Sequence, residues 1–144
     1  MRRIATTLAL VLSLLGCAPS VELLTGHSLC FPGPGPVIEG LLISDPEHGT
    51  AIKVEGYQSG YSYDSTPSDG STTPVMWPEG YIGRQLSGGE VEVLDEAGKV
   101  VARTGGRYAL EGGHSAGTGT AAFPACTSPY ELAQGESVIT PLPT

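Results

Sequence analysis

An all-β fold, a small closed or partly closed antiparallel barrel with glycine-rich loops, is what this sequence predicts, and three observations carry the prediction. Short runs rich in Val, Ile, Tyr and Trp recur through residues 37–55 and 75–110, each bounded by glycine or another turn former. The 21 glycines and 12 prolines of the 144 residues sit mostly between those runs, as turns and loops. Outside residues 4–15, no segment repeats apolar residues at i, i+3, i+4 and i+7 for long enough to build a helix. A two-sheet sandwich is the alternative architecture.

The first element is an export and anchoring segment. Arg2-Arg3 form a short positive region, and residues 4–15 are a mostly apolar run, shorter than the ~20 residues that span a bilayer. The run ends in Leu14-Leu15-Gly16-Cys17. This resembles the lipobox of bacterial lipoproteins: an aliphatic residue three before the cysteine, a small residue just before it, and the cysteine itself. The resemblance implies cleavage between Gly16 and Cys17 and lipidation of the Cys17 thiol. Residues 1–16 are then a signal peptide, and the chain is held on the outward, extracytoplasmic face of a bacterial membrane. Two or more acyl chains, at ~0.8 kcal/mol per buried methylene, make such attachment stable. Residues 17–29, with Pro19, Ser20, Thr25 and Gly26, are expected to be a tether, within which Val21-Glu22-Leu23-Leu24 read equally as the start of a strand or as a loosely packed segment.

Charge narrows the partners. The formal charge is −8, and −10 once Arg2 and Arg3 are gone. Such a surface repels phosphate backbones, so nucleic acid is not an expected partner, and nothing polybasic draws the chain to anionic lipid. Contact with the membrane is expected through the lipid on Cys17.

Two cysteines remain, Cys30 and Cys126. An even remainder in an exported chain argues for a structural disulfide bracketing the strands, worth ~4–5 kcal/mol in the chain-entropy model. The alternatives are two buried thiols or a metal site, and no further ligand stands beside either cysteine.

The domain is expected over residues 30–132. Alternate prolines at 32, 34 and 36 exclude helix and central strand from its first residues. Residues 37–43 and 50–55 read as a hairpin around Asp45-Pro46-Glu47-His48-Gly49, with Ile52 and Val54 on one face. Residues 56–74 turn to Gly, Ser, Thr, Asp and Tyr, a long surface loop. Residues 75–113 read as consecutive antiparallel strands joined by tight turns, supplying Trp77, Val91, Val93, Val101, Tyr108 and Leu110 to the core. A last strand at 120–123 delivers Cys126, and residues 133–144 are expected to be a flexible tail.

Several stretches together resemble a group of short secreted or lipid-anchored bacterial proteins. They are Cys30, Val75-Met76-Trp77-Pro78-Glu79-Gly80-Tyr81, the segment from Val91-Glu92-Val93-Leu94-Asp95 to Gly98-Lys99-Val100-Val101-Ala102-Arg103, Gly112-Gly113, and Cys126-Thr127-Ser128-Pro129-Tyr130. The resemblance covers residues 30–132 and implies an OB-like barrel. Arg107 replaces the group's usual acidic residue, and the Tyr-rich insert before Trp77 is extra. The group brings no activity with it.

Candidate chemistry is sparse. Gly113-His114-Ser115-Ala116-Gly117 has the letters of a nucleophile elbow, but no helix pattern follows and the chain is too short for a hydrolase sheet. His27 and His48 lie beside turn formers. Asp45, Glu47, His48, Asp64 and Asp69 lack the alternating spacing of a calcium loop, so no metal or cofactor is expected. The sharpest candidate is aromatic recognition by Tyr57, Tyr61 and Tyr63, with Asp64 or Asp69 accepting hydrogen bonds from sugar hydroxyls. The expected function is therefore non-catalytic: a module binding an envelope protein or glycan through that loop. The alternative is a small-molecule carrier or hydrolase with a pocket at one barrel end, enclosing Asp64, Asp69, His48 or Ser115.

Overall fold

The computed structural model describes residues 18–30, 35–59, 67–115, 122–126 and 129–139. Among them are thirteen strands and no helix: Ser20–Val21 (β1), Thr25–Gly26 (β2), Ser28–Leu29 (β3), Val37–Asp45 (β4), Gly49–Gln58 (β5), Thr72–Pro78 (β6), Ile82–Gln85 (β7), Val91–Leu94 (β8), Val100–Arg103 (β9), Arg107–Glu111 (β10), His114–Ser115 (β11), Phe123–Pro124 (β12) and Tyr130–Glu131 (β13).

Turn chemistry sets the two hairpin systems. In the β4–β5 hairpin, Asp45 Oδ1 accepts the Glu47 N–H at 2.9 Å, and Gly49 supplies φ +81°. In the β7–β8–β9 meander, Gly89 (φ +83°) closes the first turn, and Asp95 Oδ1 accepts the Ala97 and Lys99 N–H groups in the second. The meander and β1 form a small sheet in the order β1-β7-β8-β9. The large sheet runs β12-β6-β5-β4-β10-β13, with β2 also on β6, and β3 pairs with β11 separately.

One core lies between the two sheets. Val91, Val93 and Ala102 reach it from the small sheet, and Ile38, Leu42, Ile52, Val54, Trp77, Tyr108 and Leu110 from the large one. Val101 is only half-buried, because it is the extra residue where the β8–β9 register shifts from Val93↔Ala102 to Leu94↔Val100. Cys30 and Cys126 are bonded, with Cα atoms 5.7 Å apart. The bridge ties the first part of the domain to its last strands.

The sheets do not close into a barrel; the arrangement is sandwich-like. The chain changes sheets at two glycine turns, which prevents closure. After Trp77 and Pro78 it turns through Gly80 (φ +86°) into β7, which pairs with β8 and β1 rather than β6. After β9, Gly105 N donates to Leu42 O, and Leu42 N donates to Gly106 O. β4 thus captures the chain, and β10 joins the large sheet. Residues 75–113 are therefore a consecutive antiparallel ladder only over β7–β9. β6 also takes two parallel partners, β2 and β12, absent from the expected pairing.

Three expected boundaries also move. Residues 20–29 contribute three short strands instead of a tether, because Val21 and Leu23 pack against the core. Room for them comes from glycine: a Cβ on Gly83 would lie 2.7 Å from Val21 O. The 56–74 loop is shorter than expected, since β5 continues to Gln58 and Val54 is bonded to both Gly70 and Ser71. The tail is docked as far as Ile139, in contact with Glu39.

Candidate functional site

The expected binding loop is represented by its ends. Tyr57 is half-buried against the core, and Asp69 is exposed at a turn with Gly70 (φ +76°). Tyr61, Tyr63 and Asp64 lie outside the described residues, as do Gly16 and Cys17. Trp77 is fully buried, its Nε1 donating to Thr50 Oγ1 at 2.8 Å and its ring stacked on Tyr81 at 6.1 Å between centroids. It is a core ring, not a recognition surface.

The other candidates are dispersed. His48 stands at the β4–β5 tip with Nδ1 3.2 Å from Asp45 Oδ2. Burial pushes the Asp45 carboxyl up, but bonds from the Glu47 N–H and from His48 outweigh it and hold the group below its ordinary range. His27 is exposed in a shallow cavity of about 280 Å³ beside Cys30, Cys126, Glu79 and Glu96. Ser115 pairs with Ser28 in the β3–β11 ladder. No group of three His, Cys, Asp or Glu is placed to hold a metal among the described residues.

Two polar clusters are built instead. On the outward face of the small sheet, Glu92 lies between Arg84 and Arg103 in direct cross-strand register. Its carboxylate is bonded to both guanidiniums, with Arg84 Nε at 2.9 Å from Oε2. Although β8 puts Glu92 on the solvent side, the two arginine stems cover it to 3 % exposure. Their bonds, Arg84's first, hold its pKa below the ordinary value. The next row of the same face is apolar: Ile82, Leu94 and Val100.

The second cluster is on the large sheet. Glu39 sits at the β4–β5 bulge, 4 % exposed, and its carboxylate accepts from Ser137 Oγ at 2.6 Å and from the Val138 and Ile139 N–H groups. Glu136 closes the strap behind it, accepting from Ala133 N and from Tyr130 Oη. This raises the Tyr130 phenol above its ordinary pKa.

Sequence reasoning missed both clusters. The first had a readable signal, since a turn centred on Gly88 pairs Arg84 with Glu92. The second joins residues 98 apart and has no local signature.

The N-terminal residues meet the small sheet. β1 lies on β7 with Ser20 opposite Arg84, and Gln85 N donates to Pro19 O at 2.9 Å. Ala18 and Pro19 with the Gln85–Gly89 turn line an open groove of about 750 Å³. No described helix is long and apolar enough to cross a membrane. Compared with known proteins, the chain matches no family model, no curated protein and no solved structure.

Proposed function

We propose that this chain is a lipid-anchored bacterial envelope protein whose β domain acts without catalysis, as a binding or interaction module on the outward face of a membrane. It would then stand with the short secreted or lipid-anchored proteins that its Trp-Pro and Cys-x-x-Pro-Tyr segments resemble. The observation that carries the reading is the Cys30–Cys126 bridge in a chain whose other cysteine ends a lipobox-like run. Disulfides persist in oxidising compartments, which fits export. The buried carboxylates fit an interaction module: Glu39 and Glu92 are engaged in holding strands and strap together.

Metabolic labelling with a fatty-acid analogue tests the anchor. The full chain should take up label and partition with membranes, and Cys17→Ala should lose the label. Label retained by Cys17→Ala overturns the reading. Crosslinking the intact protein in its native membrane then identifies what the domain touches.

A further inference from the structure

We infer that the outward face of the β7–β9 meander, carrying Ile82 and Val100 beside Arg84 and Arg103, rests on the lipid headgroups of the membrane that holds Cys17. The inference rests on the anchoring reading and adds an orientation to it.

Reach is the first argument. Cys17 is three residues before Ser20, which pairs with Arg84, so a fully extended chain puts the anchor no more than ~10 Å from that strand. Pro19 is bonded to Gln85, so the chain leaves the domain at the Gln85–Gly89 turn. The small sheet is therefore the part of the domain held nearest to the acyl chains.

The chemistry of the face is the second argument. Ile82 is 57 % exposed and Val100 40 %, at opposite ends of one cross-strand row with Leu94 between them. Of the four large hydrophobics exposed among the described residues, these two belong to the small sheet, whereas Tyr130 and Val138 lie in β13 and the 133–139 strap. In the adjoining row, Arg84 and Arg103 keep about half of their side-chain surface in solvent while bonded to Glu92. A guanidinium has five donors in a planar fork, so each retains N–H groups for a phosphate oxygen. Apolar side chains beside forked cations give this face both a nonpolar component and donors for phosphate oxygen, the two chemistries a headgroup surface offers.

Charge distribution is the third. The chain beyond Cys17 has a net charge of −10 with five cations, Lys53, Arg84, Lys99, Arg103 and Arg107, and three of these belong to β7–β9 and its turns. Of the other two, Arg107 is bonded to Glu55. With Glu90, Glu92, Asp95 and Glu96 in the same stretch, residues 82–103 carry a net charge of −1, and the rest of the chain beyond Cys17 carries −9. Anionic headgroups repel the rest of the surface more than this face.

Tryptophan quenching tests the orientation. The lipidated full chain is reconstituted into vesicles of phosphatidylethanolamine and phosphatidylglycerol, with or without brominated acyl chains. Ile82→Trp, Val100→Trp and Lys53→Trp are compared. Lys53 lies between the core residues Ile52 and Val54, so it points outward from the large sheet, and Trp77 adds a constant buried background. Ile82→Trp and Val100→Trp are expected to be quenched at least twofold more than Lys53→Trp. Using both positions guards against one variant misfolding. Equal quenching at all three positions overturns the inference. Floating protein with Ile82→Trp and Val100→Trp unquenched also overturns it, giving the face to a second copy or a protein partner while the anchor stands. Protein that fails to float overturns the anchor and the orientation together.

Discussion

The indole Nε1 of Trp77 donates to the hydroxyl of Thr50 at 2.8 Å, and both residues are fully buried. The bond joins the middle of the large sheet to its largest core ring. Thr50→Val preserves shape but leaves the indole N–H unsatisfied, a cost of about 1–3 kcal/mol. In a Trp77→Phe background, which has no donor, the same substitution costs less than half as much. Urea denaturation of the four proteins in this cycle measures the difference; equal costs in both backgrounds would remove the bond from the account.

Reduction of Cys30–Cys126 releases a loop whose ends are 96 residues apart. The chain-entropy model puts the loss at about 4–5 kcal/mol. Thermal unfolding with and without reductant, and of Cys30→Ser/Cys126→Ser, reads it. The double variant should match the reduced protein.

Glu92 makes stability pH-dependent with a defined sign. Its folded pKa lies below the ordinary value of 4.5, so its contribution is present above the unfolded pKa and is lost as pH falls through the folded one. Glu92→Gln weakens the pairing with Arg84 and Arg103, costing about 1–2 kcal/mol at neutral pH with half-exposed arginines. As pH falls below 4.5, the ordinary value, the gap between the two proteins should narrow. A constant gap from pH 7 to pH 3, measured by urea titration, contradicts this account.

The Glu39 contact should hold the 133–139 strap locally. Glu39→Ala removes the acceptor of the Val138 and Ile139 N–H groups, so their hydrogen exchange should quicken ~10-fold or more, as a local opening eased by 1–3 kcal/mol allows. Exchange in β7–β9 should stay at its wild-type rate. An unchanged rate at Val138 and Ile139 would mean that the strap is held by other contacts.

Leu23 and Gly83 test the N-terminal strands. Leu23→Ala removes a residue only 8 % exposed and should cost about 2–4 kcal/mol. Gly83→Val places carbon against Val21 O, where even a Cβ would stand at 2.7 Å. It should free β1 and raise exchange at the Gln85 N–H bonded to Pro19. If both variants keep wild-type stability, these residues are not part of the folded unit.

Local chemistry was the legible part of this molecule. Asp45-Pro46-Glu47-His48-Gly49 and Asp95-Glu96-Ala97-Gly98 carry their turns in side-chain acceptors and glycines, so the hairpin and meander follow from neighbouring residues. Trp77 reads as core because a large ring amid Val75 and Met76 has nowhere else to go. The sheet changes at Gly80 and Gly105 were hidden, because a glycine turn looks the same whether its strands pair or part. The parallel partners of β6 come from segments about 50 residues to either side, and no periodicity signals such pairing. Val21 to Leu24 read equally as strand or as loose packing, and the choice falls to Gly49 and Gly83, distant residues whose missing side chains make room for Leu23.

The placement of the disulfide has a mechanical consequence. Tension applied through Cys17 reaches β1 first, whose two-residue ladder on β7 peels one bond at a time, and then the short β2 and β3. Unravelling halts at Cys30, because the covalent link to Cys126 passes the load into strands at the far end of the domain. The slack before that stop is roughly 13 residues, or ~45 Å of extended chain. A pull on the N-terminal end thus releases a short leash and leaves the folded body intact.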